Sequence, residues 1–290
     1  MNQLGGWCQQ CKQTTSTIKP NFFKIMAFNH TLTGAKFVGF LQTSLGAKKG
    51  VYDADYFSDH GGSWAKHPNP KEKDTLTIDE KQDVNGQIIW DMNTGSFTQT
   101  QTFRGQTHTD EMLLTNFENL DGSQADRIDF IVYGTNGDNE IFTSDGDDTI
   151  GAGRGNDLVD AGGGSDVIIG GLGIDIIHTG DGEDTVVALA GQGFALIKDF
   201  TDGEDRIQVI EGVENASNVR IRDWGTEAGS KAYRDLRTAG FSNNEAEFFS
   251  ATEVEWWNAA AIFNGDDLVA VVNGVAADQL SIDFEQGAIV

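Results

Sequence analysis

The sequence predicts an all-β fold in which short strands wind into stacked coils, and three observations predict it. Residues Gly134 to Val187 repeat one nine-residue unit six times without a gap. Glycine holds the fourth position of every unit, at Gly137, Gly146, Gly155, Gly164, Gly173 and Gly182, and a carboxylate or its amide holds the sixth, at Asn139, Asp148, Asp157, Asp166, Asp175 and Asp184. The eighth is always aliphatic: Ile141, Ile150, Val159, Ile168, Ile177 and Val186.

Each unit divides into a turn and a strand. The turn is glycine-rich because tight loops need positive φ and close backbone approach, which a Cβ obstructs. The last three residues, such as Leu158-Val159-Asp160, are β-formers whose middle side chain points to one face, and that face becomes the core. Two units make a coil of eighteen residues, so the turns stack on two opposite edges. Asn139, Asp157 and Asp175 line one edge, and Asp148, Asp166 and Asp184 line the other. Asp145 and Asp181 add carboxylates to the turns of the second and sixth units.

Stacked carboxylates in a partly dry groove repel one another unless a cation lies between them. Calcium answers that need, being a hard cation that takes roughly 6 to 8 oxygens in flexible geometry, and both carboxylates and glycine carbonyls supply oxygen. Magnesium demands a tighter octahedron, and zinc prefers nitrogen and sulfur. Without a cation, the same acidic, glycine-rich composition suits a disordered linker.

These residues resemble the G-G-x-G-x-D-x-U-x repeat of the RTX (repeats-in-toxin, haemolysin-type) family. The likeness is closest at Gly162-Gly163-Gly164-Ser165-Asp166-Val167-Ile168 and at Gly170-Gly171-Leu172-Gly173-Ile174-Asp175-Ile176-Ile177. Thr135 and Ser144 depart from it by replacing the second glycine, and Asn139 replaces the aspartate, so the first site is expected to be the weakest. The resemblance implies a parallel β-roll, a β-solenoid, holding several Ca²⁺ ions between successive turns, with the sixth-position residues and the six glycines as ligands. It also implies a secreted, extracellular protein of a Gram-negative-type bacterium, exported by a type I secretion exporter that reads an uncleaved C-terminal signal. The acidic, then small and apolar ending from Leu280 to Val290 is compatible with such a signal.

The flanks are expected to frame the roll. Residues 1–50 read as a poorly structured leader, with Met26 an alternative start. Cys8 and Cys11 lie within that leader and have the spacing of a redox motif, but lack the strand-to-helix frame such a motif needs. Residues 51–133 read as irregular β coils, including a hairpin about Asn93-Thr94-Gly95. Asp121 to Asp129 reads as a degenerate first coil, with Phe130-Ile131-Val132-Tyr133 inserted after it. After the array, Ile197 to Ile207 resembles the closing segment of RTX rolls: Asp202 and Asp205 are placed to bind a further ion, and Phe200 and Ile207 to seal the core, so that the roll with its closing segment spans 134–208. Residues 209–290 read as a C-terminal cap and secretion-signal region, with a small helical insertion at Glu245 to Phe263 and strands at Leu268 to Val275 and Leu280 to Phe284.

Composition narrows the function. A net charge of −25 disfavours nucleic acid and anionic membrane as partners, and no apolar run is long enough for a transmembrane segment. No H-E-x-x-H occurs, and Gly61-Gly62-Ser63-Trp64-Ala65 is an incomplete G-x-S-x-G. His60 and His67, near Asp55 and Asp59, read as solvated turn residues, while Phe248, Phe249, Trp256 and Trp257 read as packing the insertion against the roll. The expectation is a binding or surface-structural module, with a carbohydrate or cell-surface ligand. The alternative is a polysaccharide-modifying or hydrolytic enzyme with its site in residues 51–120.

Overall fold

The computed structural model describes residues 27–32, 35–40, 50–53, 56–59, 63–66, 75–79, 86–103, 106–125, 128–191, 193–211, 214–215, 218–224, 258–283 and 288–290. Every regular element among them is a β-strand. No helix there is long and apolar enough to cross a membrane.

The eighteen-residue coil appears directly in the strand register. On one face Ile150 pairs with Ile168 and Ile168 with Val186; on the other Ile141 pairs with Val159 and Val159 with Ile177, all in parallel. Strand Val167–His178 turns a corner, so its two ends serve opposite faces. The chain is therefore a parallel β-solenoid, flattened between two sheets. All six eighth-position side chains point between the sheets and are at most 1% exposed. Full burial of such a side chain stabilises by about 1.5–3 kcal/mol, so the aliphatic stack is the main apolar support of the coils.

The preceding region joins these sheets. Strands Gly86–Asp91, Ser96–Phe103 and Gln106–Thr115 form an antiparallel meander, with the first turn at Asn93-Thr94-Gly95 as expected. Asp91 Oδ1 accepts the N–H groups of Asn93 and Thr94 there, at 3.0 and 3.2 Å. Gly86–Asp91 then lies parallel to Ile128–Tyr133, with Trp90 beside Val132. Trp90, Phe97, Phe117 and Phe130 fill the core at this end, and the Trp90 ring meets the edges of Phe97 and Phe117 at centroid distances of 6.2 and 5.9 Å.

Two expectations are corrected. Phe130 to Tyr133 are not an insertion: Val132 pairs with Ile150, one coil on, whereas Leu120 pairs with Ile141, three residues more than a coil. The extra residues therefore fall between Leu120 and Val132, ahead of the expected place. The second correction concerns the helix expected from Glu245 to Phe263. Residues 225–257 lie outside the described residues, but Ala259–Asn264 is a strand paired with Asp267–Asn273. Its first five side chains are all buried, and this packing overrides the helical preference of its alanines.

At the C-terminal end, Phe200 and Ile207 are buried as expected. Strand Arg206–Glu211 continues the parallel stack, and Ala288–Ile289 and Ile282–Asp283 then close that sheet in antiparallel fashion. Residues 1–26 of the expected leader, with Cys8, Cys11 and Met26, lie outside the described residues, whereas Ala27–Leu32 and Ala35–Phe40 within it are an antiparallel pair of strands, the first of which also pairs with Thr75–Asp79.

The alternation of faces has a measurable consequence. Ile168→Ala should cost about 2–5 kcal/mol, whereas Val167→Ala, at a neighbouring side chain that is 38% exposed, should change stability by no more than about 0.5 kcal/mol. Denaturant unfolding of both variants checks this, and equal losses would contradict the assigned faces.

Candidate metal centre

The turns carry the acidic side chains inward because successive turns stack backbone on backbone. Gly155 shows why glycine is required: its φ is 122°, and a Cβ there would lie 2.6 Å from the Asp138 backbone nitrogen of the turn below. Left-handed glycines recur at the second and fourth positions from the third unit onward, but Gly137 and Gly146 do not adopt that conformation.

Within this frame the sixth-position side chains form two ladders. Asp157 Oδ1 accepts the Asn139 N–H at 2.8 Å, and Asp175 Oδ1 accepts that of Asp157 at 3.0 Å. On the other edge Asp148 Oδ1 accepts from Phe130 at 2.7 Å, Asp166 from Asp148 at 2.7 Å, Asp184 from Asp166 at 2.8 Å, and Asp205 from Asp184 at 3.1 Å. All these carboxylates are at most 2% exposed. One oxygen of each thus holds the preceding coil in register.

The other oxygen defines the chemistry. Oδ2 of Asp148, Asp166 and Asp184 is buried with no hydrogen-bond partner, an arrangement that is costly for an isolated anion. Burial pushes Asp148 up to about 8, Asp166 and Asp175 up to about 7, and Asp184 up to about 6, with neighbouring carboxylates adding to the rise. Asp205 is raised too, again chiefly by burial. A hard cation with an oxygen-rich shell fits these bare oxygens. Among the described residues no three His, Cys, Asp or Glu side chains gather as a metal cluster, so such an ion would draw heavily on main-chain carbonyls. That need favours calcium over zinc.

Other expected site residues divide. Asp145 and Asp181 are exposed and flank Gly163 along the outside of one edge, away from the buried ladder. Asp202 is exposed, whereas Asp205 is buried and extends the ladder. The acceptor beside Asp205 is Asp199, which the sequence reading overlooked. Its Oδ1 takes the Thr179 N–H at 2.8 Å and its Oδ2 the Gly180 N–H at 3.2 Å.

A further set of ties between coils was also overlooked. Fifth-position side chains reach forward: Asp138 Oδ1 accepts from Asn156 N at 2.8 Å, Asn156 Oδ1 from Ile174 N at 3.0 Å, and Asp147 Oδ1 from Ser165 N at 2.9 Å. The run of Asp or Asn at 138, 147 and 156 was the available signal. Of the enzyme candidates, His60, His67 and Asp55 lie outside the described residues, as do Phe248, Phe249, Trp256 and Trp257. Ser63 and Asp59 are paired in a short antiparallel hairpin.

Among known families, the RTX calcium-binding nonapeptide repeat matches residues 131–159 and 160–195, in four copies. No curated protein matches the chain.

The raised carboxylates set a pH dependence. A folded-state pKa above the ordinary 3.8 means that the ion-free roll is favoured at acid pH and that this contribution is lost as pH rises from about 3.8 to the folded values of about 6 to 8. In chelator the roll should therefore gain some β structure as pH falls from about 8 to about 5, because only protonated carboxyls can be buried there without an ion. Circular dichroism in chelator across that range checks this, and β content that does not change with pH would contradict the burial of these groups.

Proposed function

We propose that this chain, whose residues 131–195 are RTX calcium-binding nonapeptide repeats, is a secreted protein whose roll completes its folding when it takes up calcium outside the cell. The observation that carries the reading is the set of buried Asp148, Asp166 and Asp184 oxygens with no partner. An ion bound there neutralises the stack and turns binding free energy into folding free energy. Extracellular calcium modules bind at roughly 10⁻⁴ to 10⁻³ M, well above resting cytosolic calcium. Inside the cell the array stays open and fit for transport, and on emergence it closes.

Type I export through a C-terminal signal accords with this sequence of events, as does an acidic chain with a net charge of −25. The folded protein then acts as a binding or surface-structural module, for a carbohydrate or cell-surface ligand. Its support is the outer face of one sheet, where Ile89, Tyr133 and Val167 are exposed. Tyr133 lies against Gly151, which has no side chain to lift the ring.

Circular dichroism during calcium titration tests the folding step. β structure should increase with calcium and fail to do so with magnesium at the same concentration. Asp166→Ala should raise the midpoint severalfold, and Asp202→Ala, at an exposed position, should leave it unchanged. Full β structure in chelator would overturn the reading.

Export needs its own test, because the tail is also part of the cap: Ile289 is buried, and Ser281 and Val290 exchange backbone hydrogen bonds at 2.8 and 3.0 Å. Removing Gln279 to Val290 should retain the protein in cells carrying a type I exporter, whereas Ile207→Ala, which weakens the cap and spares the tail, should still reach the medium. Secretion of the truncated chain would contradict the signal's placement.

A further inference from the structure

The first turn of the odd-numbered units is built differently from those that follow. Asn139 Oδ1 accepts the Thr135 N–H at 2.7 Å, and its Nδ2 donates to Thr135 Oγ1 at 2.9 Å and to the Glu118 carbonyl. An amide has donors as well as acceptors, whereas a carboxylate has acceptors only. Asn139 therefore satisfies itself within the protein, while on the opposite edge Asp148, Asp166 and Asp184 keep a bare oxygen. The backbone agrees: Thr135 stands where later units have a left-handed glycine, and Gly137 is not left-handed.

A second, independent set of contacts ties this turn to the region before it through neutral amides. Asn93 Nδ2 donates to the Gly134 carbonyl at 2.6 Å, Asn136 Nδ2 to Asn93 Oδ1 at 3.3 Å, and Asn119 Oδ1 accepts the Glu140 N–H at 2.9 Å. Below it lies the aromatic core of Trp90, Phe97, Phe117 and Phe130. Nothing in this network changes charge, and none of it calls for a cation.

We infer that the turn closed by Thr135 and Asn139 takes no ion, its amide standing where a cation would, and that the coil it closes is a calcium-independent template for the array. This rests on the reading that calcium organises the later turns. A solenoid coil is stabilised by its neighbours, so a preformed edge gives the first calcium-dependent coil a partner to stack on. The expectation of a weak ion site at Asn139 and Gly137 gives way to no site there.

Hydrogen exchange on the full chain, in chelator and in millimolar calcium, tests the inference. In chelator, residues 128–142 should exchange at least about tenfold more slowly than residues 167–178, and calcium should protect both. Asn139→Asp keeps the shape but loses both donors and sets a carboxylate against the Glu118 carbonyl. It should lose protection of Glu140–Phe142 in chelator and regain it in calcium. Asn139→Ala removes the donors without supplying a ligand, so calcium should not restore the slow exchange. Equal exchange of the two wild-type segments in chelator would overturn the template, and so would an Asn139→Asp variant that matches the wild type there or that calcium fails to protect. If residues 167–178 of the wild type are already protected in chelator, the calcium-folding reading fails instead.

Discussion

The arrangement on which the roll depends is a buried carboxylate shared between coils. One oxygen of each sixth-position aspartate takes a backbone N–H of the coil before it, and so sets the register. The other points into the protein and, at Asp148, Asp166 and Asp184, meets no donor. At the closing turn, by contrast, both oxygens of Asp205 are served, Oδ1 by the Asp184 N–H and Oδ2 by the Thr201 N–H. The internal turns therefore leave a charge for a cation to answer, and register, pH response and the proposed calcium-driven folding share one cause.

The aliphatic stack and the carboxylate ladders divide the labour. Ile141, Ile150, Val159, Ile168, Ile177 and Val186 supply non-directional burial, which sets no register by itself because each rung resembles the next. The carboxylates supply direction. Fifth-position side chains reach forward while sixth-position ones reach back, so each internal turn is tied on both sides. At the ends the polar chemistry changes with the neighbours. Asparagines join the first coil to the preceding hairpin, and Asp199 and Asp205 join the last one to the closing turn.

Much of this was legible because strict repetition converts sequence spacing into spatial stacking. Gly155, Asp157 and Val159 each have counterparts nine residues away, so period and strand position follow from counting. The coil before the array is harder to phase, since Asp121 to Tyr133 has Gly122 but Gln124 where the repeat has its fourth-position glycine, and only the pairing of Leu120 with Ile141 and Val132 with Ile150 locates the extra residues. Ala259 to Phe263 looked helical by composition and is a strand by packing. Asp199 is the first aspartate of the closing segment Asp199 to Ile207, and that position was the signal for it; its partners Thr179 and Gly180 lie a coil away. Asp202 carries a carboxylate in the same closing turn as Asp205, and burial separates the two.

Anomalous diffraction from crystals of the calcium-loaded chain, recorded at a wavelength where calcium scatters anomalously, tests the central claim most directly. Peaks should lie against the buried Oδ2 atoms of Asp148, Asp166 and Asp184, with none at the turn of Thr135 and Asn139. Peaks confined to the exposed carboxylates of Asp145 and Asp181, with the buried ladder vacant at saturating calcium, would contradict it.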